Sequence, residues 1–198
     1  MKSLLRRFLV PVFALVLVPL AQAHPGHEGD HGDFTWDFSG GVLHPLTGFD
    51  HLIAMLAVGL WAAQLGSRAR WLVPAAFVAL MTAGAALGRS GFMLPGAEQM
   101  IAASVLVLGL LLATAARLPM AAGMTLVGLF AAFHGFAHGA EMPAGSQALS
   151  YGAGFVLATA LIHAAGVGLG TLAAARSEKL TRYAGWAIAA SGVVLLAV

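Results

Sequence analysis

Six apolar segments follow one another through most of this 198-residue chain, and each is close to the length that crosses a bilayer as a helix. About 20 apolar residues span the ~30 Å hydrocarbon core, and backbone inside lipid must satisfy its own hydrogen bonds. The segments are Leu43–Leu65, Trp71–Leu87, Ala97–Ala115, Met120–Ala140, Ala148–Ala174 and Tyr183–Val198. Charged residues make up only 9% of the chain, against about 25% in soluble domains. The sequence predicts an all-α integral membrane protein with six transmembrane helices.

The first 23 residues have the features of a cleaved N-terminal signal peptide. A basic start with Lys2 and Arg6 precedes a short apolar run, and Ala21-Gln22-Ala23 fits a cleavage site. The alternative is an uncleaved first span, but this apolar run is short and holds two prolines, Pro11 and Pro19. We therefore expect residues 1–23 to be removed from the mature protein.

Cleavage would leave residues 24–40 as a His/Asp-rich, flexible periplasmic N-terminus, followed by a six-helix transmembrane domain over residues 41–198. In this N-terminal tract, His24, His27 and His31 are candidates for capturing a divalent metal. The alternative is a solvated leader without a specific ligand, because short histidine-rich tracts are only a compositional signal.

The basic residues predict how the helices are oriented. With the mature N-terminus outside, the loops after the first, third and fifth segments face the cytoplasm. These loops carry Arg68, Arg70, Arg117, Arg176, Lys179 and Arg182. The loops on the other side carry only Arg89. This asymmetry follows the positive-inside rule and predicts a multi-pass protein of the bacterial inner membrane with a periplasmic N-terminus.

Two short stretches place ionisable side chains inside the apolar segments, at similar depth on the same side. The candidate metal-binding residues are His44, Asp50, His51, His134, His138 and Glu141. Such residues are costly in a membrane and usually mark an ion or substrate pathway. On straight helices, His44 and His51 would be about 10 Å apart along the axis, as would His134 and Glu141. We therefore expect two facing ladders of ligands that share an ion between neighbouring helices.

Ligand chemistry restricts which metal ions could bind but does not select a single one. The chain has no cysteine, so thiolate sites are excluded. Imidazole and carboxylate together fit Ni2+ or Co2+, and Zn2+ is compatible as well. Outside the two stretches, His163 has no carboxylate within one turn and is interpreted as a helix-to-helix hydrogen-bonding residue. Glu98 falls in an outer loop and is interpreted as solvated, with the alternative that it helps to collect cations.

The two stretches resemble the motifs of the HupE/UreJ family of nickel and, in some members, cobalt permeases. The family's His-x5-Asp-His signature stands at His44 to His51, and its Phe-His-Gly-x-[Ala/Val]-His-Gly-x-Glu signature at Phe133 to Glu141, with no departure at a specified position. The resemblance implies secondary transport or facilitated diffusion of Ni2+ into the cytoplasm, without enzymatic activity or a permanent cofactor. It also implies supply of nickel enzymes such as hydrogenase or urease, with nickel chaperones or maturation proteins as candidate partners.

Two other functions use the same residues. An intramembrane zinc-dependent hydrolase needs three protein ligands, an open position and a general base, and a b-type haem protein needs axial histidines. Neither a substrate pocket nor a haem motif is evident in the sequence. The net charge of +2 gives no argument for nucleic-acid binding.

Overall fold

The computed structural model describes residues 35–143 and 145–197, and this part of the chain folds into seven α-helices. They are α1 (Phe38–Thr47), α2 (Phe49–Leu65), α3 (Ala69–Arg89), α4 (Ala97–Ala113), α5 (Met120–Glu141), α6 (Ala148–Arg176) and α7 (Glu178–Ala197). No β-strand occurs in the described ranges, so the prediction of an all-α chain is confirmed. The predicted signal peptide and the tract with His24, His27 and His31 lie outside the described residues.

Several of these helices can cross a membrane. By length and composition α3, α5, α6 and α7 qualify alone, while α1 and α2 qualify only together, as one broken span. The apolar helix α4 has 17 residues and is shorter than the others. The described residues thus hold four helices that could span a membrane, or five if α1 and α2 form one span, as expected of a multi-pass membrane protein. The count of six remains a prediction.

The first predicted span is broken at Gly48. The expectation of one helix over Leu43–Leu65 is wrong, because α1 and α2 meet at an angle of 82°. Gly48 has φ −76° and ψ 111°, which is extended backbone, and glycine favours helix interiors poorly. The Thr47 hydroxyl donates to the carbonyl of His44 at 3.1 Å and satisfies an acceptor at the end of α1. The chain therefore turns sharply between the two histidines of the first motif.

The short helix α1 also has a defined start. The Asp37 carboxylate accepts hydrogen bonds from the Ser39 hydroxyl at 2.7 Å, the Thr35 hydroxyl at 2.8 Å and the Gly40 amide at 3.0 Å. These bonds lower the pKa of Asp37 to about 2, so the carboxylate stays ionised as an N-cap. Because both ends of α1 are fixed locally, it forms a separate helix and not a frayed extension of α2.

The connection between α6 and α7 is shorter than predicted. The basic stretch between the fifth and sixth segments was expected to be a loop, but Ser177 alone separates the two helices. Arg182 therefore lies within α7, where its Nε–H donates to the carbonyl of Ala113 at 2.9 Å. A cation is favourable at this C-terminal end of α4 because of the helix dipole.

Glycines allow α3 and α5 to pack with their backbones in contact. A Cβ atom added to Gly135 would overlap the carbonyl oxygen of Met81, and one added to Gly139 would overlap that of Ala85. Small residues permit this close approach between membrane helices. The histidine-bearing turn of α5 is therefore held directly against α3.

The helix α6 packs against both halves of the broken span. Gly41 of α1 lies against the backbone of Tyr151, and Gly59 of α2 lies against that of Gly166. These contacts place α1, α2 and α6 side by side. As a result, one face of α6 lies next to the histidines that α1 and α2 carry.

Candidate metal-binding site

Three histidines from three helices converge inside the bundle. One ring nitrogen each of His44 (α1), His51 (α2) and His138 (α5) lies within 4.8 Å of the other two. The Nε2 atoms of His51 and His138 are 2.7 Å apart although the residues are 87 positions apart in sequence. We refer to His44, His51 and His138 as the three-histidine cluster. Its nitrogens are close enough to share one cation.

Asp50 fixes the orientation of one member of the cluster. Its Oδ1 atom accepts a hydrogen bond from His51 Nδ1–H at 2.7 Å and another from the His51 amide at 2.8 Å. With the proton on Nδ1, the lone pair of His51 lies on Nε2, which faces His138. A carboxylate that binds the far nitrogen of a ligating histidine fixes its tautomer and raises its basicity. The geometry therefore places Asp50 behind the candidate ligand His51, and its interpretation as a direct ligand remains a prediction.

Two further carboxylates surround the cluster. Glu141 Oε2 lies 3.7 Å from His138 Nδ1, and the Glu141 side chain is 50% exposed. Glu98, which is exposed in the first turn of α4, is close enough to interact electrostatically with Glu141 and His51. The exposure of Glu98 agrees with its interpretation as solvated, and its electrostatic interaction favours the alternative that it helps to collect cations. Negative charge near three neutral imidazoles offsets the cost of placing a divalent cation in an apolar bundle.

His134 lies next to the three-histidine cluster, one turn away from His138 along α5, but it is not one of the three residues whose nitrogens lie within 4.8 Å of one another. Its ring is fully buried, and its centroid is 5.4 Å from that of His51. His134 Nδ1 pairs with the carbonyl oxygen of Phe130 at 2.9 Å, which places the ring proton on that nitrogen, and Nε2 has no hydrogen-bond partner among the described residues. His134 thus presents a free lone pair at a second level.

The arrangement differs from two straight ladders. The bend at Gly48 brings the ring centroids of His44 and His51 to 5.8 Å, so both can approach one ion. The expected separation of about 10 Å assumed a straight helix and is wrong for this pair. The expectation that the two motifs meet is confirmed, and they meet through one cluster with His134 beyond it.

Aromatic residues of α6 complete the surroundings of the cluster. The Phe155 ring centroid is 4.7 Å from that of His138 and 5.9 Å from that of His44. The Tyr151 ring lies 6.2 Å from that of His44. The sequence analysis did not single out either residue, because an aromatic residue in an apolar helix carries no signal of its own. Their rings shield the cluster on the α6 side.

The donor set suits a borderline divalent transition metal. Neutral imidazole nitrogens bind nickel, copper, zinc and iron, whereas sites for magnesium and calcium are built from oxygen. Charge on the cation would be offset by carboxylates that are exposed or partly exposed. The histidines, in contrast, are mostly buried, which favours an ion that has lost part of its water.

The fold and the site define a class: a helical membrane protein with a histidine cluster of metal-ligand geometry inside its bundle. The family model described as HupE / UreJ protein matches residues 12–195, and the chain belongs to this family. It is also similar to Protein HupE of Rhizobium leguminosarum bv. viciae, with 44% identity over 184 residues, covering 92% of this chain and 93% of the relative. No solved structure was found to match the chain.

Family membership confirms the resemblance seen in the two sequence motifs. The match extends over almost all of the described residues and includes both motifs. It supports a role related to nickel or cobalt transport and a membrane setting.

Proposed function

We propose that the protein carries Ni2+, or Co2+, across the inner membrane into the cytoplasm by secondary transport or facilitated diffusion. The observation that carries this proposal is the three-histidine cluster, whose nitrogens lie within 4.8 Å of one another in an apolar helix bundle. The ion is a substrate that passes through, and no permanent cofactor is proposed. The delivered metal would supply nickel enzymes such as hydrogenase or urease, with nickel chaperones or maturation proteins as partners.

In this proposal the ion is captured from the periplasmic side. The carboxylates of Glu98 and Glu141 attract the hydrated cation, and the cluster replaces part of its hydration shell with imidazole nitrogen. His134 then offers the next lone pair inward. A periplasmic N-terminus with His24, His27 and His31 would add a capture step before the cluster.

The haem alternative does not fit the geometry. Two axial histidines stand on opposite faces of the macrocycle, so their ligating nitrogens cannot also be in hydrogen-bond contact. The Nε2 atoms of His51 and His138 are 2.7 Å apart. No specific observation favours the hydrolase alternative, and the flux experiment below tests it.

The decisive experiment measures metal flux with purified protein. Liposomes reconstituted with the protein should accumulate radiolabelled Ni2+ faster than liposomes without it, and excess Co2+ should compete more strongly than Zn2+. Liposomes with the His134→Ala/His138→Ala double variant serve as the matched control. If liposomes with the wild type accumulate nickel no faster than liposomes without protein, the transport proposal fails and the hydrolase alternative takes first place. Equal accumulation above that level by wild type and double variant would remove His134 and His138 from the path.

Replacement of Asp50 by asparagine should weaken Ni2+ binding about 10- to 100-fold, because a residue behind a metal-ligating histidine typically contributes that much. The amide oxygen of the asparagine can still accept the His51 Nδ1–H bond, but it lacks the negative charge. Asp50→Ala removes both the hydrogen-bond acceptor and the negative charge, so a larger loss of Ni2+ affinity is expected. Equilibrium titration of the purified variants with Ni2+ measures the difference. Equal affinity of wild type and Asp50→Ala would show that Asp50 does not act through His51.

A further inference from the structure

His163 is a buried histidine that the cluster does not use. It lies on α6 and is 2% exposed, and neither ring nitrogen has a hydrogen-bond partner within the described ranges. The interpretation of His163 as a helix-to-helix hydrogen-bonding residue is therefore wrong. Buried polar groups are nearly always paired, and leaving one unpaired is costly. An unpaired, buried histidine therefore indicates a role other than packing.

The position of His163 continues the site along α6. Tyr151, Phe155, Thr159 and His163 follow at four-residue spacing, so that each is a neighbour of the next, and all four are buried. Phe155 contacts two members of the three-histidine cluster. His163 lies eight residues farther on, which is about 12 Å along the axis. This row of buried neighbours on α6 therefore leads from the cluster to His163.

Phe77 of α3 lies between His163 and His134. Its ring centroid lies 5.6 Å from that of His134 and 4.9 Å from that of His163. The Phe77 side chain is fully buried. The order along the bundle is thus the three-histidine cluster, His134, Phe77 and His163.

Beyond Phe77, His163 borders open space. It lines a groove of about 400 Å³ between α3 and α6 whose other lining residues are all apolar, and the groove is partly open to the outside of the bundle, because lining residues such as Ala75 and Ala164 are exposed. The groove reaches Trp71, in the first turn of α3, whose side chain is 65% exposed. Space next to an unpaired imidazole thus extends toward the end of the bundle away from the cluster.

We infer that His163 is an inner ligand for the transported ion, which it receives after the ion has passed Phe77. This inference rests on the proposed transport of a divalent transition metal. A neutral imidazole in this position offers a lone pair where the remaining walls are apolar. It thereby lowers the cost of moving a partly dehydrated cation through the inner half of the bundle. The site takes the same class of ion as the cluster, with a single protein nitrogen and retained water completing the coordination.

His163→Phe tests this assignment. Phenylalanine keeps an aromatic ring against Phe77 but removes both nitrogens. We expect the maximal rate of Ni2+ flux into reconstituted liposomes to fall about tenfold or more. The equilibrium affinity of the purified protein for Ni2+ should stay within about twofold of wild type, because the three-histidine cluster is intact. Leu161→Phe, a substitution at a 60% exposed position of the same helix, should leave both quantities unchanged.

The outcomes separate this inference from the function on which it rests. Wild-type flux in the His163→Phe variant would overturn the inference and leave the transport proposal standing. A parallel loss of flux and Ni2+ affinity would also overturn it, because the substitution would then act on the cluster. Absence of Ni2+ and Co2+ flux in the wild type would overturn the proposed function and this inference together. Thermal unfolding of the variant verifies that it is folded.

Discussion

Replacement of His138 by alanine is expected to weaken Ni2+ binding by about 100-fold or more and to abolish cellular nickel uptake. His138 supplies a nitrogen that faces His51 at 2.7 Å, and removal of a direct ligand should cost at least as much as loss of a group behind one. His134→Ala should behave differently. His134 lies beyond the cluster, so binding should remain near the wild-type value while the rate of uptake falls.

Comparison of the two alanine variants distinguishes one cluster from two equivalent ladders. Equilibrium titration with Ni2+ and radiolabelled uptake are measured for each variant at matched membrane abundance. Phe136→Leu, a conservative change at a buried position of the same helix, is the control for α5 packing. Equal losses of affinity in His134→Ala and His138→Ala would contradict the separation of His134 from the cluster.

A second large effect, on stability, is expected when the glycines of the second motif are replaced by alanine. Gly135→Ala should destabilise the protein by about 3 kcal/mol or more, because overpacking against rigid backbone forces the helices apart. The clash is with the carbonyl oxygen of Met81, which no rotamer change can relieve. For a chain of this size the apparent melting temperature should fall by about 10 °C. Gly139→Ala, which meets the carbonyl of Ala85, should act in the same direction.

Gly168→Ala is the matched control for this effect. It is also a glycine inside a helix, but a Cβ atom there has no neighbour within 4 Å. Alanine is the better helix former by about 1 kcal/mol, so this variant should be as stable as the wild type or slightly more so. Thermal unfolding in detergent compares the variants. If Gly135→Ala and Gly168→Ala have the same apparent melting temperature, the close packing of α3 and α5 is contradicted.

The lengths of the apolar segments alone predicted much of the fold. The predicted segment Met120–Ala140 agrees with α5 to within one residue, because a long apolar run bounded by prolines leaves little freedom in helix ends. The break at Gly48 was missed because Gly48 lies within a largely apolar segment of spanning length, and a single glycine is often tolerated inside a helix. The break is seen only in the structure, as the extended backbone of Gly48 and the angle of 82° between α1 and α2.

The sequence named candidate site residues but could not give their arrangement, and their role as metal ligands stays a prediction. The His-x5-Asp-His spacing identified Asp50 as a candidate site residue, yet its role behind His51 depends on a side-chain rotamer that spacing does not determine. The motif glycines Gly135 and Gly139 could not be interpreted until α3 was known to be the neighbour of α5. His163 lacked any local signal, because its neighbour Phe77 comes from another helix.

The bend at Gly48 changes what an ion at the three-histidine cluster does to the protein. Because His44 and His51 belong to different helices, a bound ion would act as a removable cross-link among α1, α2 and α5. One of its three imidazoles would come from α1, a helix of ten residues that packs on the backbone of α6 through Gly41. Binding of the ion would therefore stabilise the packing of the two halves of the broken span as well as occupy the site.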